Sequence, residues 1–141
     1  FPSSRESLIN YINDSLPPKA ILFAVVEIET NNFIGTARIV EIDHTNRSCN
    51  YGRFIGDTSL RGKGYGTEIV EIIQQYVFEQ LSFNRLYTHN LDINIKALNS
   101  NKKAGMKVEG TLRESQYYKG NLHDLILLSM LKDEYFSKKK K

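Results

Sequence analysis

The chain predicts an α/β (α+β) domain, and three features of the sequence carry that prediction. Apolar, β-rich stretches follow one another across short polar links in the first 56 residues. A strand then runs through alternating glycines into a strongly amphipathic helix. After a second, shorter helix, two extended segments close the chain. The 141 residues fit one domain with one core. A composition of 40% hydrophobic and 25% charged residues is ordinary for a globular protein.

Ser3-Ser4-Arg5-Glu6 reads as a helix start, with Ser3 as N-cap and Glu6 at the capping-box position. Leu8, Ile9 and Ile12 then share one helical face, and Pro17-Pro18 stops the helix. Ile21–Glu29 reads as a buried strand, and Thr30-Asn31-Asn32 is turn chemistry. Phe33–Ile42 forms a hairpin with the first strand across that short link. Asp43–Arg47 is polar and turn-like, and Ser48–Ile55 is the third strand, ending at Gly56-Asp57. From Thr67 to Leu81, the residues Ile69, Val70, Ile72, Ile73, Tyr76, Val77 and Leu81 repeat at spacings of three and four, which predicts an amphipathic helix. Leu86–Leu91 is a strand, and Asn94–Ala104 a shorter helix ended by Gly105. Lys107–Tyr118 reads as extended, Gly120-Asn121 as a turn, and Leu122–Leu131 as a final apolar strand. There is no internal repeat or linker.

The charge is +3, but it sits at one end. Without Lys138–Lys141 the basic count falls from 19 to 15 against 16 acids, a net −1. The body therefore lacks the basic face of a nucleic-acid binder. Residues 137–141 read as a disordered, solvated lysine tail. With one cysteine, Cys49, no internal disulfide forms, and no signal-peptide pattern opens the chain, which suits a reducing, cytoplasmic location. Cys49 lies in a strand, where packing is its expected role. The longest strongly apolar run, Ala20–Val26, is too short to span a membrane. His44, His89 and His123 with Cys49 give no zinc spacing, so no metal is expected.

The chemistry begins at Arg61-Gly62-Lys63-Gly64-Tyr65-Gly66-Thr67. A strand, a glycine-rich turn and a helix together form a phosphate cradle. The first N–H groups of a helix have no internal partner, and the helix dipole is positive there. Glycines let the backbone approach the anion. Arg61 and Lys63 add positive charge. A Walker loop is excluded because no glycine stands at the required place upstream of Gly62-Lys63, and Lys63 is followed by Gly64. The spacing Gly62-x-Gly64-x-Gly66 is not the G-x-G-x-x-G dinucleotide fingerprint either. From these residues alone, a cradle for some other phosphate ligand and a plain strand-to-helix turn both stay open.

Further on stand Asn94-Ile95-Lys96-Ala97 and Lys103-Ala104-Gly105-Met106. With these the chain resembles the GNAT superfamily of N-acetyltransferases. That family's cofactor signature, R/Q-x-x-G-x-G/A, is matched by Arg61, Gly64 and Gly66, and its later N-x-x-A/S and K-x-G-F/M signatures by Asn94, Ala97, Lys103, Gly105 and Met106. Glu109–Arg113, Tyr118-x-Gly120 and Asp124 look like the branch of ribosomal-protein, polyamine and amino-sugar acetyltransferases. The resemblance covers nearly the whole chain from about Ile21. Members of this branch usually carry a strand and a helix ahead of the segment where this chain starts, so the single domain 1–141 is expected to lack those two elements.

The resemblance implies a mixed, mostly antiparallel sheet with helices on both faces. It also implies a splayed parallel strand pair, Ser48–Ile55 and Leu86–Leu91, that holds acetyl-CoA as cosubstrate. Phe54 and Ile55 would pair with the pantetheine arm. Residues Arg61, Gly62, Lys63, Gly64, Tyr65, Gly66 and Thr67 would hold the pyrophosphate, Asn94 would bond the pantetheine, and Lys103 would meet the phosphates. The reaction implied is direct attack of an unprotonated primary amine on the thioester, with a stabilised oxyanion and a thiolate leaving group. The acceptor would be a small molecule, such as an amino sugar or polyamine, or a protein N-terminus. The resemblance leaves room for a homodimer.

The proton-transfer positions depart from the pattern. The tyrosine many members carry seven residues after the motif asparagine is here Asn101, and a frequent glutamate base is here Asn50. An amide donates a hydrogen bond but does not protonate a thiolate. Catalysis by positioning with water as proton carrier is one reading. Replacement by His89, Tyr117, Tyr118, His123 or Asp124 is another, and Asp124 could instead bind a cationic acceptor. The alternative to an enzyme is a catalytically weak acetyl-CoA-binding module that acts as sensor or subunit.

Overall fold

A computed structural model of the chain describes residues 4–14, 19–56 and 63–140. Its elements run α1 (Arg5–Asp14), β1 (Ile21–Glu27), β2 (Asn32–Asp43), β3 (Ser48–Ile55), α2 (Tyr65–Gln75), β4 (Arg85–Leu91), α3 (Ile95–Lys103), β5 (Lys107–Tyr118), β6 (Asn121–Leu131) and α4 (Lys132–Lys139). The six strands form one sheet in the order β1-β2-β3-β4-β6-β5. Every neighbouring pair is antiparallel except β3 and β4.

Strand alternation decides which residues meet the helices. Ala37 and Ile39 of β2, Cys49 and Tyr51 of β3, Leu86 of β4, and Leu128 and Met130 of β6 are buried on one face. They pack with Ile69, Val70 and Ile73 of α2. Val77 and Phe78 continue that contact from Tyr76–Gln80, a single π-helical turn closed by the Leu81 N–H donating to the Tyr76 carbonyl (3.0 Å). The Thr67–Leu81 helix of the sequence reading thus starts two residues earlier and widens at its end. Leu98 of α3 reaches the same core, and Tyr135 of α4 stacks on Phe78 at 5.2 Å. Arg38 lies between Ala37 and Ile39 and so points to the opposite face, where its guanidinium sits 4.5 Å from the Tyr11 ring of α1. Helices therefore cover both faces, as expected. Cys49 is fully buried, and burial pushes its thiol up to about 12, in keeping with a packing role.

Two local readings are corrected. The cap of α1 is Ser4, not Ser3: its hydroxyl accepts from the Ser7 N–H (3.1 Å), and the Ser7 hydroxyl accepts from the Ser4 N–H (3.0 Å). Ser7 thus fills the reciprocal position given to Glu6. The basic tail is not disordered from residue 137, because α4 continues to Lys139. Lys138 Nζ donates to Gln74 Oε1 (2.7 Å) and to the Ala104 carbonyl (2.9 Å), and Gln74 Nε2 donates to that same carbonyl (2.9 Å). Gln74 is fully buried, so its amide oxygen gains from a cation that reaches down to it.

Lys138→Met leaves that buried oxygen without its donor. The variant is expected to lose about 1–2 kcal/mol in urea unfolding. A wild-type midpoint would show that the terminal helix does not hold the core.

Candidate active site between the parallel strands

The parallel ladder between β3 and β4 has three register pairs: Ser48 with Arg85, Cys49 with Leu86, and Asn50 with Tyr87. Both strands continue beyond it, β3 on β2 to Ile55 and β4 on β6 to Leu91. Past Asn50 and Tyr87 they diverge. At the fork the Thr88 hydroxyl donates to the Tyr51 carbonyl (3.0 Å), so a side chain replaces the missing ladder bond. The opening is a cavity of about 360 Å³. Tyr51, Gly52 and Arg53 line one side, Thr88, His89, Asn90 and Leu91 the other, and Asn94, Ala97, Gln116 and Leu125 the ends.

A buried polar network forms one wall. Asn101 of α3 is fully buried, and its Oδ1 accepts from the Tyr51 hydroxyl and from Arg53 Nη1 (3.2 Å). Its Nδ2 donates to Asn90 Oδ1 (2.7 Å), and Arg53 Nη1 also donates to the Tyr51 hydroxyl (3.0 Å). Burial pushes the Tyr51 phenol up to about 12, with Arg53 acting in the opposite sense. Asn101 thus spends both ends of its amide on bridging β3, β4 and α3.

Beside this wall α2 begins. Gly64 precedes it with φ 84°, a left-handed conformation that glycine adopts without strain, and, its chain neighbours aside, no atom of the described residues lies within 4 Å of where a Cβ would stand. Gly64 has no side chain to cap α2, so among the described residues the cap position gives the opening amides no side-chain partner. A Cβ on Gly66 would lie 3.1 Å from Ser100 Oγ and 3.5 Å from Arg53 Nη2, so glycine lets α2 settle against both α3 and β3. The Tyr65 phenol bonds Glu27 at the end of β1. Lys63 is exposed and Thr67 half-buried, while Arg61 and Gly62 lie outside the described residues. Phe54 is exposed, and Ile55 packs on the core. Asn94 caps α3, its Oδ1 accepting from the Ala97 N–H (3.3 Å). Lys103 is exposed one turn beyond Ser100, on the same side of α3.

The remaining candidates divide. His89 lines the cavity, its ring 6.0 Å from that of Tyr87. Tyr118 does not line it: it sits at the tip of the β5–β6 hairpin, paired with Asn121 and 6.2 Å ring to ring from His123. His123 Nδ1 lies 3.1 Å from Asp92 Oδ1, and Asp124 accepts from the Glu114 N–H (2.8 Å), fixing a bulge in β5. Asn50 closes the parallel ladder. Tyr51, Arg53, Thr88, Asn90 and Gln116 were not singled out from the sequence. The available signal was strand alternation, which puts Tyr51 and Arg53 on the Cys49 side of β3, polar groups aimed inward. Among the described residues, no group of three or more His, Cys, Asp or Glu side chains could hold a metal ion, and no helix is long and apolar enough to cross a membrane.

A forked parallel pair with an open helix start beside it is the arrangement expected for a GNAT fold. Comparison with known proteins agrees. The family model described as an acetyltransferase (GNAT) domain matches residues 2–107. The chain is 32% identical over 134 residues to the uncharacterized N-acetyltransferase p20 of Bacillus licheniformis, covering 94% of this chain and 75% of that protein. It is 27% identical to the spermidine N(1)-acetyltransferase of Vibrio cholerae, over 81% of this chain and 65% of that protein. Its fold matches the crystal structure of a Vibrio cholerae spermidine N-acetyltransferase in complex with CoA and spermine, with TM-score 0.86, 24% identity, and coverage of 96% of this chain and 79% of that one. The chain belongs to the GNAT acetyltransferase family and is an acyltransferase.

Asn101→Ala removes the shared partner of Tyr51, Arg53 and Asn90. It is expected to lose about 3 kcal/mol in urea unfolding, since several buried groups lose a hydrogen bond together. A loss below about 0.5 kcal/mol would show that the network does not hold the fork.

Proposed function

We propose that the chain moves an acetyl group from acetyl-CoA to a primary amine by direct attack on the thioester, with a small polyamine-class acceptor. The observation that carries this reading is the fork: the ladder stops at Asn50–Tyr87 while both strands run on, beside a helix start with glycine at its cap. An extended amide-bearing arm ending in a pyrophosphate suits that space. The β3 edge at Phe54 and Ile55 would take the arm. The amides from Gly64 to Thr67, with Arg61, Gly62 and Lys63, would take the phosphates. Asn94 and Lys103 would bound the site from α3.

Of the acceptors the sequence allows, polyamines are favoured by the relative named a spermidine acetyltransferase. Asp92, beside His123, and Asp124 give the hairpin side negative groups suited to a cationic amine. His89 is the cavity group best suited to accept the proton of the attacking amine, directly or through water. A second reading, a cofactor-binding module with little turnover, draws on Asn50 and on Asn101, whose amide is spent on structure.

The test pairs a thiol-release screen over polyamines, amino sugars and peptide N-termini with calorimetry of coenzyme A. Release with polyamines, strongest among the acceptors, is expected. Tight coenzyme A binding without thiol release on any amine would favour the second reading. Gly64→Val forces a branched side chain into a left-handed conformation, at about 1–2 kcal/mol, and into the phosphate space. The folded variant is expected to lose coenzyme A binding. Unchanged affinity would contradict the cradle.

A further inference from the structure

Resting on the acetyl-CoA reading above, we propose that Arg53 is a catalytic residue that stabilises the thiolate leaving group inside the β3–β4 cavity. Arg53 is half-buried on the cavity wall. Its Nη1 is fixed by two neutral oxygens, the Tyr51 hydroxyl and Asn101 Oδ1. Among the described residues no carboxylate pairs with it, so its charge is oriented but not neutralised. A guanidinium stays protonated at any working pH. The cavity is thus built for an anion at the fork.

The chemistry generates one there. The amine nitrogen adds to the thioester carbonyl carbon, the C–S bond breaks, and its electron pair leaves on sulfur. The nitrogen gives its surplus proton to His89 or water, and that proton ends on the released thiol. In an enzyme with amides at positions 50 and 101, the leaving sulfur has no acid at either. The Tyr51 hydroxyl already donates its proton to Asn101 Oδ1, and burial raises its phenol, so it is poorly placed to replace one. A fixed cation performs the same task by charge, because it lowers the cost of the departing thiolate without a proton transfer. The cavity's other titratable walls are Tyr51 and His89. Lys63 and Glu68 flank the start of α2, and Lys96 and Lys103 stand on α3.

Bound coenzyme A reports the effect directly, since its thiol titrates by ultraviolet absorbance of the thiolate. In the wild-type complex that thiol is expected to titrate about one unit or more below free coenzyme A. Arg53→Met should bring it back to the free value and lower kcat about a hundredfold, while Arg53→Lys keeps most of the shift. Calorimetry and circular dichroism on each variant show binding and folding. A wild-type complex whose thiol titrates like the free molecule overturns the proposal, whatever the variants do. So does an Arg53→Met complex that keeps the wild-type shift. A wild-type chain that binds no coenzyme A overturns the cosubstrate reading itself, an outcome visible before any titration.

Discussion

The molecule turns on the parting of β3 from β4. Parallel neighbours in a sheet satisfy one another's backbone, and separating them leaves polar groups to be answered elsewhere. Each buried group left unanswered costs about 1–3 kcal/mol. Here the Thr88 hydroxyl takes the Tyr51 carbonyl at the fork, and Asn101 ties Tyr51 and Arg53 on one branch to Asn90 on the other. The outer edges of both branches stay paired, β3 with β2 and β4 with β6. The opening is therefore held apart by a rigid frame instead of being a loosened seam.

The helices follow from that frame. Gly66 lets α2 lie against Arg53 and Ser100, which brings its glycine-capped start to the mouth of the fork. Asn94 starts α3 beside the same cavity, and α3 sends Asn101 back into the wall. At the far end, Lys138 of α4 reaches Gln74 of α2, closing the core that α2 anchors. Fold and proposed site share residues: Asn101 and Gly66 hold the frame and border the cavity that the site would use.

Much of this was legible in the sequence. Apolar runs with polar links marked the strands, spacings of three and four marked α2, and the alternating glycines marked its start. Local chemistry was enough for those. What escaped was long-range. Tyr51 and Arg53 drew no functional reading, because their partner Asn101 stands 50 and 48 residues away. Lys138 read as part of a solvated run, because the buried acceptor that orders it is 64 residues distant. The π turn after Gln75 was hidden because an i→i−5 bond leaves no mark in the spacing of the apolar residues. Ser3 and Ser4 are equivalent caps in sequence, and only the reciprocal bonds with Ser7 choose between them.

The central claim is that the fork and the adjoining helix start form one binding site. Amide hydrogen exchange with and without coenzyme A tests it most directly. Slowed exchange at residues 52–55 of β3 and 65–67 of α2, with the β1–β2 turn unchanged, is the predicted result. Protection confined to the β5 bulge around residues 112–116, with β3 unaffected, would contradict it.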